Sequence, residues 1–178
     1  TIDDMGNAFW NSSGFSEVDD VGFLSALIDT IISQYNINED RVYSMGMSNG
    51  GFMSYQLACQ LSDKIAAIAS VTGSMNESQI MSCNPDHAMP VMQIHGTADP
   101  TVFYEGNDLF GILSVNDVIS HWVNFNQCET NPIFNNIPDI ILLDLCNAEH
   151  YVYPNGNNDS SVELYKVING GHTWPGAA

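Results

Sequence analysis

Three short stretches of this sequence carry residue types that can break a covalent bond. The first is Gly46-Met47-Ser48-Asn49-Gly50, a G-x-S-x-G pattern. Ahead of it, Arg41 to Met45 reads as a short strand ending at Gly46; behind it, Gly50 to about Leu61 reads as a helix. A serine on a sharp strand-to-helix turn has its Oγ pushed into solvent at a sheet edge. The flanking glycines are expected because side chains there would collide with the neighbouring strand and helix. The Asn49 backbone N–H would then point at the oxyanion of a tetrahedral intermediate. The competing reading is an ordinary glycine-rich loop, and the strand–turn–helix context favours the nucleophile.

A serine nucleophile needs a base, and the base needs an orienting carboxylate. His95-Gly96-Thr97-Ala98-Asp99-Pro100 follows the apolar run Val91 to His95, which puts Asp99 in a loop at a strand's C-terminal end. Ligand chemistry collects at that end of open α/β sheets. Gly170-Gly171-His172-Thr173-Trp174-Pro175-Gly176 follows the alternating run Ser161 to Val167, with glycines that allow His172 to swing over the sheet edge. Ser48, Asp99 and His172 thus come in a workable order, each after its own strand.

Other residues compete less well. His95 precedes the acid and ends a strand, so a hydrogen-bonded structural role suits it better than that of base. His87, His121 and His150 have no motif around them and read as surface or satisfied histidines. Asp108 is a rival acid in a Gly/Asn loop further from the strand. Trp174 is either a wall of the substrate pocket or loop packing. Tyr104 and Glu105 read as structural, and Met45, Met47 and Met53 as core and pocket lining. Asn11, Asn76 and Asn158 head N-x-S patterns, which are expected by chance in an Asn-rich chain.

These loops require elements to position them. Residues 17–35 have apolar positions at helical spacing (Val21, Leu24, Ile28, Ile31, Ile32, Tyr35), with Ser16 and Asp19 as a capping-box-like start. Ile65 to Val71 and Val91 to His95 are short apolar runs suited to strands covered on both faces. Ser114 caps a helix with Val115, Val118, Ile119, Trp122 and Phe125 on one side. Tyr151 to Tyr153 and Ser161 to Val167 alternate, with Asn155-Gly156 between them, and read as a hairpin. Strands alternating with helices, then a late hairpin, define an α/β fold: a mostly parallel sheet with helices on both faces.

The composition excludes several roles. The 178 residues include 3 Lys+Arg against 21 Asp+Glu, a net charge of −18. Binding a phosphate backbone or an anionic membrane surface needs several cations, so neither nucleic acid nor membrane is an expected partner. No run of about 18 apolar residues is present to cross a membrane. The four cysteines, Cys59, Cys83, Cys128 and Cys146, show no C-x-x-C spacing, so no metal site is expected. Two disulfides in an oxidising compartment, or four unrelated buried thiols, are the open readings.

The motifs around Ser48, Asp99 (with Tyr104-Glu105-Gly106) and His172, together with Val18 to Phe23 and Tyr55 to Asp63, resemble the extracellular polyhydroxybutyrate depolymerase and feruloyl esterase family. That resemblance covers nearly the whole chain. It implies a secreted or periplasmic α/β-hydrolase with Ser48 as nucleophile, Asp99 as acid, His172 as base, and Trp174 near the substrate; Met47, read above as pocket lining, is a second substrate-binding candidate. It needs no metal or organic cofactor. It also implies the pairings Cys59–Cys83 and Cys128–Cys146. Family members carry further strands, and a loop holding the second oxyanion donor, ahead of the position of Thr1; they continue into a helix after the Trp-Pro-Gly segment. Residues 1–178 are therefore expected to be one partial catalytic domain, unstable or nearly inactive by itself. The expected substrate is a polymeric ester, polyhydroxybutyrate first. Alternatives are a feruloyl or acetylxylan esterase, a peptidase on the same fold, or a catalytically silent polysaccharide-binding domain.

Overall fold

The computed structural model describes residues 1–2, 6–12, 16–141 and 143–176. Helix α1 (Asp20–Gln34) precedes strand β1 (Tyr43–Met47), helix α2 (Asn49–Gln60), strand β2 (Ala67–Val71), helix α3 (Glu77–Ser82) and strand β3 (Val91–Gly96). Helix α4 (Val115–Asn126) and strands β4 (Ile133–Asn136), β5 (Asn147–Tyr153) and β6 (Val162–Ile168) follow. The sheet order is β1-β2-β3-β6-β5-β4. The β1, β2, β3 and β6 pairings are parallel, whereas β5 runs antiparallel to both β6 and β4. The expected parallel sheet and late hairpin are both present.

Register decides which side chains meet the core. Ser44, Ile68, Val91 and Val162 align across the sheet, as do Gly46, Ser70, Gln93 and Leu164. This face receives α2 and α4: Tyr55 of α2 stacks on Trp122 of α4, and both rings are fully buried. Aromatic pairs of this kind anchor a core through buried area and ring geometry together. On the opposite face Tyr43, Met45, Ala67, Ala69 and Met92 line an open groove of about 500 Å³. Cover there, expected of helices on both faces, is not supplied by α2 or α4. Strand β1 is the sheet edge, and Met45 on it is 69% exposed.

Local signals set the helix ends. Ser114 accepts from Asp117 N as the cap of α4. For α1 the cap is Asp19, whose carboxylate accepts from Gly22 N at 2.7 Å; Ser16 accepts instead from Val18 N. Helix α3 was not expected. Asn76 and Gln79 form a full capping box there, a pattern overlooked when Asn76 is considered only within a chance N-x-S match. Strand β4 was also missed, because all four of its residues are exposed and two are Asn.

One disulfide joins Cys59, near the end of α2, to Cys83 at the end of α3. Cys128 and Cys146 are free, which corrects the expected second pair. Glu129 N bonds Pro154 O, so Cys128 lies at one end of β5, while Cys146 directly precedes the other. Seven strand residues, at about 3.3 Å each, separate the two by roughly 20 Å. A disulfide tolerates a Cα separation of about 7 Å.

Candidate active site

Strand β1 runs straight into Ser48, which adopts φ 55° and ψ −120° before α2 begins. Serine is disfavoured there, and such strain persists only where the surroundings impose it. They do so on both sides. Ser48 N–H donates to Val71 O at 2.8 Å, and Ser48 O accepts from Gly51 N and Phe52 N. A Cβ at Gly46 would fall on the Gly50 backbone. A Cβ at Gly50 would meet nothing, contrary to the expectation for both flanking glycines. The second close approach belongs to Gly51, where a Cβ would come within 2.6 Å of Ser70 Oγ. Beside Ser48, Thr72 follows β2 at φ 51°, an unusual conformation for a β-branched residue.

Asp99 and His172 meet across 73 residues of sequence. His172 Nδ1–H donates to Asp99 Oδ2 at 2.8 Å. Asp99 Oδ1 accepts from Thr101 N at 2.8 Å and Val102 N at 2.9 Å, and the side chain is buried. This arrangement leaves His172 Nε2 with its lone pair free to take a proton. The two loops are tied together: Thr97 N donates to Val167 O, Ala98 N to Gly170 O, and Asn169 N to Thr97 Oγ1. A Cβ at Gly96 would fall on Gly170 O, so the H-G-x-x-D glycine permits this contact. The His172 loop is thus anchored rather than a free swinging turn. No hydrogen bond joins Ser48 Oγ to His172 in this structure; such contacts often tighten only with substrate bound.

Asn49 is the first residue of α2, so its backbone N–H has no intrahelical acceptor. Its side chain does something the sequence did not disclose. Asn49 Oδ1 accepts from Trp10 N at 2.6 Å, and Nδ2 donates to Trp10 O at 2.9 Å. That clamp brings residues 9–12 beside the serine. Phe9, Trp10, Phe52, Phe110 and Ile112, with Ser12, Asn49 and Asn76, line a cleft of about 370 Å³ that includes Ser48. Met47 and Trp174 lie together in a neighbouring cleft of about 730 Å³, which shares Phe9, Trp10 and Asn49 with the first.

The competing residues are occupied elsewhere. Asp108 is exposed in the turn Asp108–Phe110. His150 Nε2 bonds Glu163, and its ring stacks on Tyr165. Both ring nitrogens of His87 face backbone carbonyls. His121 packs against Trp122 and Phe125, and burial pushes its pKa down. His95 is buried, which lowers its pKa too. Among the described residues no cluster of His, Cys, Asp and Glu could hold a metal ion.

A strained serine at a strand–helix turn, followed by an acid and a histidine at two further strand ends of a mostly parallel sheet, marks the α/β-hydrolase fold. The chain belongs to the phospholipase/carboxylesterase family, whose sequence profile matches residues 11–126. It is similar to feruloyl esterase B of Piromyces equi, at 28% identity over 94% of this chain and 31% of that protein. It is also similar to a bifunctional acetylxylan esterase/xylanase of Neocallimastix patriciarum, at 31% identity over 56% of this chain and 14% of that protein. The chain therefore spans less than a third of either relative. Among solved structures, an acetyl xylan esterase from Aspergillus awamori shares the fold, with a TM-score of 0.67 and 14% identity over 86% of this chain and 62% of that one.

Proposed function

We propose that this chain carries the catalytic centre of a carboxylic ester hydrolase acting on feruloyl esters of plant cell-wall polysaccharide. The observation that carries the reading is the bond from His172 Nδ1 to Asp99 Oδ2, in loops that leave the same end of the parallel sheet as the strained Ser48. Ser48 Oγ attacks the ester carbonyl while His172 Nε2 takes its proton. Asn49 N–H, at the positive end of α2, donates to the oxyanion. The alcohol leaves with the proton from His172, and water releases the acid from the acyl-enzyme. Asp99 holds the ring in one tautomer.

The aromatic walls at Phe9, Trp10, Phe52 and Phe110 suit a planar aromatic acyl group, and Asn76 adds a polar group to the lining. The relatives favour this feruloyl reading, with acetylxylan second, over the polyhydroxybutyrate depolymerase expectation. The Cys59–Cys83 disulfide supports an oxidising, extracellular or periplasmic location. The test is hydrolysis by the full-length protein of methyl ferulate, acetylated xylan and hydroxybutyrate oligomers side by side, with Ser48→Ala as control. Methyl ferulate should be the best substrate and S48A inactive. Undiminished turnover by S48A refutes the mechanism, and a preference for hydroxybutyrate oligomers refutes the substrate.

A further inference from the structure

We propose that His95 is a positioning residue that sets the turn holding Asp99 and, through it, the orientation of His172. This rests on the triad reading above. His95 is the penultimate residue of β3, four residues before Asp99, and is 1% exposed. A chain of buried hydrogen bonds dictates which of its nitrogens carries the proton. Gly73 O can only accept, and it lies 2.8 Å from the Gln93 amide nitrogen, so that nitrogen faces it. The amide oxygen then faces Tyr55, whose hydroxyl donates to it at 2.7 Å. The second amide hydrogen of Gln93 points at His95 Nδ1, 2.9 Å away. Nδ1 must therefore accept, and the ring proton belongs on Nε2.

That Nε2–H donates to Val102 O at 2.8 Å and passes 3.5 Å from Asp99 Oδ2. Val102 is also the residue whose own N–H binds Asp99 Oδ1. His95 thus grips the acid turn from its carbonyl side while the carboxylate grips it from its amide side. Tyr55, Gln93, His95 and Asp99 are all at most 3% exposed, so water does not compete for these groups. Burial lowers the His95 pKa, which keeps the ring neutral with a single proton, as the chain of donors requires. The rings of His95 and Tyr104 also pack edge to face, 5.9 Å between centroids. A histidine that merely filled space would need none of this polarity.

The test uses the full-length enzyme and a soluble nitrophenyl ester, with kcat, KM and Tm measured for each variant. His95→Phe keeps bulk but removes the donor; kcat should fall by about 10-fold to 100-fold with KM within about twofold, the scale of a catalytic group displaced by up to about 1 Å. Gln93→Leu keeps His95 but frees its tautomer, and kcat should fall several-fold. His95→Gln, whose amide N–H reaches towards Val102 O, should recover most of the loss. Wild-type kcat in H95F or Q93L overturns the proposal. So does H95Q as poor as H95F, or a loss of activity that follows Tm alone. If H95F does not fold, Q93L and H95Q carry the same decision. S48A run in parallel separates the two claims: activity in S48A removes the triad reading and the proposal with it, whereas an inactive S48A beside fully active H95F and Q93L removes only the role of His95.

Discussion

Replacing Asp99 by Asn alters one atom and nearly preserves shape, yet the surrounding donors make the change severe. Asp99 Oδ1 accepts from two backbone N–H groups, Thr101 and Val102. The amide of an Asn there must place its oxygen in that position, because an NH₂ would face two donors. Its nitrogen then faces His172 Nδ1, where the carboxylate oxygen had accepted at 2.8 Å. Two donors cannot share that hydrogen bond, so His172 shifts to the tautomer with Nδ1 as acceptor and the proton on Nε2. That nitrogen can no longer take the serine proton. A wrong-tautomer base of this kind costs about 10⁴ in kcat, or about 5 kcal/mol of transition-state stabilisation. The assay is steady-state hydrolysis of a nitrophenyl ester by full-length wild type and D99N, with Tm as a check on folding. KM should change little, since Asp99 is buried away from the cleft. A D99N enzyme within tenfold of wild-type kcat would refute the assignment of Asp99 as the orienting acid.

Further consequences concern the turn, the cysteines and acid stability. Gly46→Ala should destabilise by about 3 kcal/mol, because its Cβ meets the Gly50 backbone. Gly50→Ala should be neutral or stabilising by up to about 1 kcal/mol, its Cβ pointing into open space at the start of α2; thermal melts compare the two. Cys59→Ser should cost about 3.5 kcal/mol by reopening a loop with a separation of 24 residues, while Cys146→Ser should leave the denaturant midpoint unmoved. His95 and His121 have pKa values lowered by burial. Below about pH 6.5 the unfolded chain therefore binds protons that the folded one refuses, so stability should fall as pH drops through that value. Melting curves between pH 8 and pH 5 should show this, with a shallower slope in His121→Phe; equal slopes would count against the assignment.

The parts of the site that could be read from the sequence are those that depend on a strand and its own following loop. Ser48, Asp99 and His172 each lie in the loop after one parallel strand, and parallel register brings those three ends to one edge of the sheet. Glycine marks the contacts this alignment forces, at Gly46 and again at Gly96 beneath Gly170. The second glycine of the serine motif was misjudged because the pattern alone does not say which glycine faces a neighbour; Gly51, one residue later, does. Cys128 and Cys146 failed for a related reason. Their pairing came from a resemblance, whereas their distance is set by the full length of β5 lying between them.

The cleft was not legible, and the reason bears on specificity. Its walls come from residues 9–12, 52, 76 and 110–112, segments with no shared periodicity or motif. They converge because of side-chain bonds over long sequence distances. Asn49 holds Trp10 across 39 residues, and Gln79 of α3 donates to Ser12 O across 67. Asn49 is therefore more than the proposed oxyanion donor: its side chain fixes a wall of the cleft. Chemistry in this fold follows strand order and can be read along the chain. Substrate choice follows contacts among loops, where an Asn is only one of many until its partner is known.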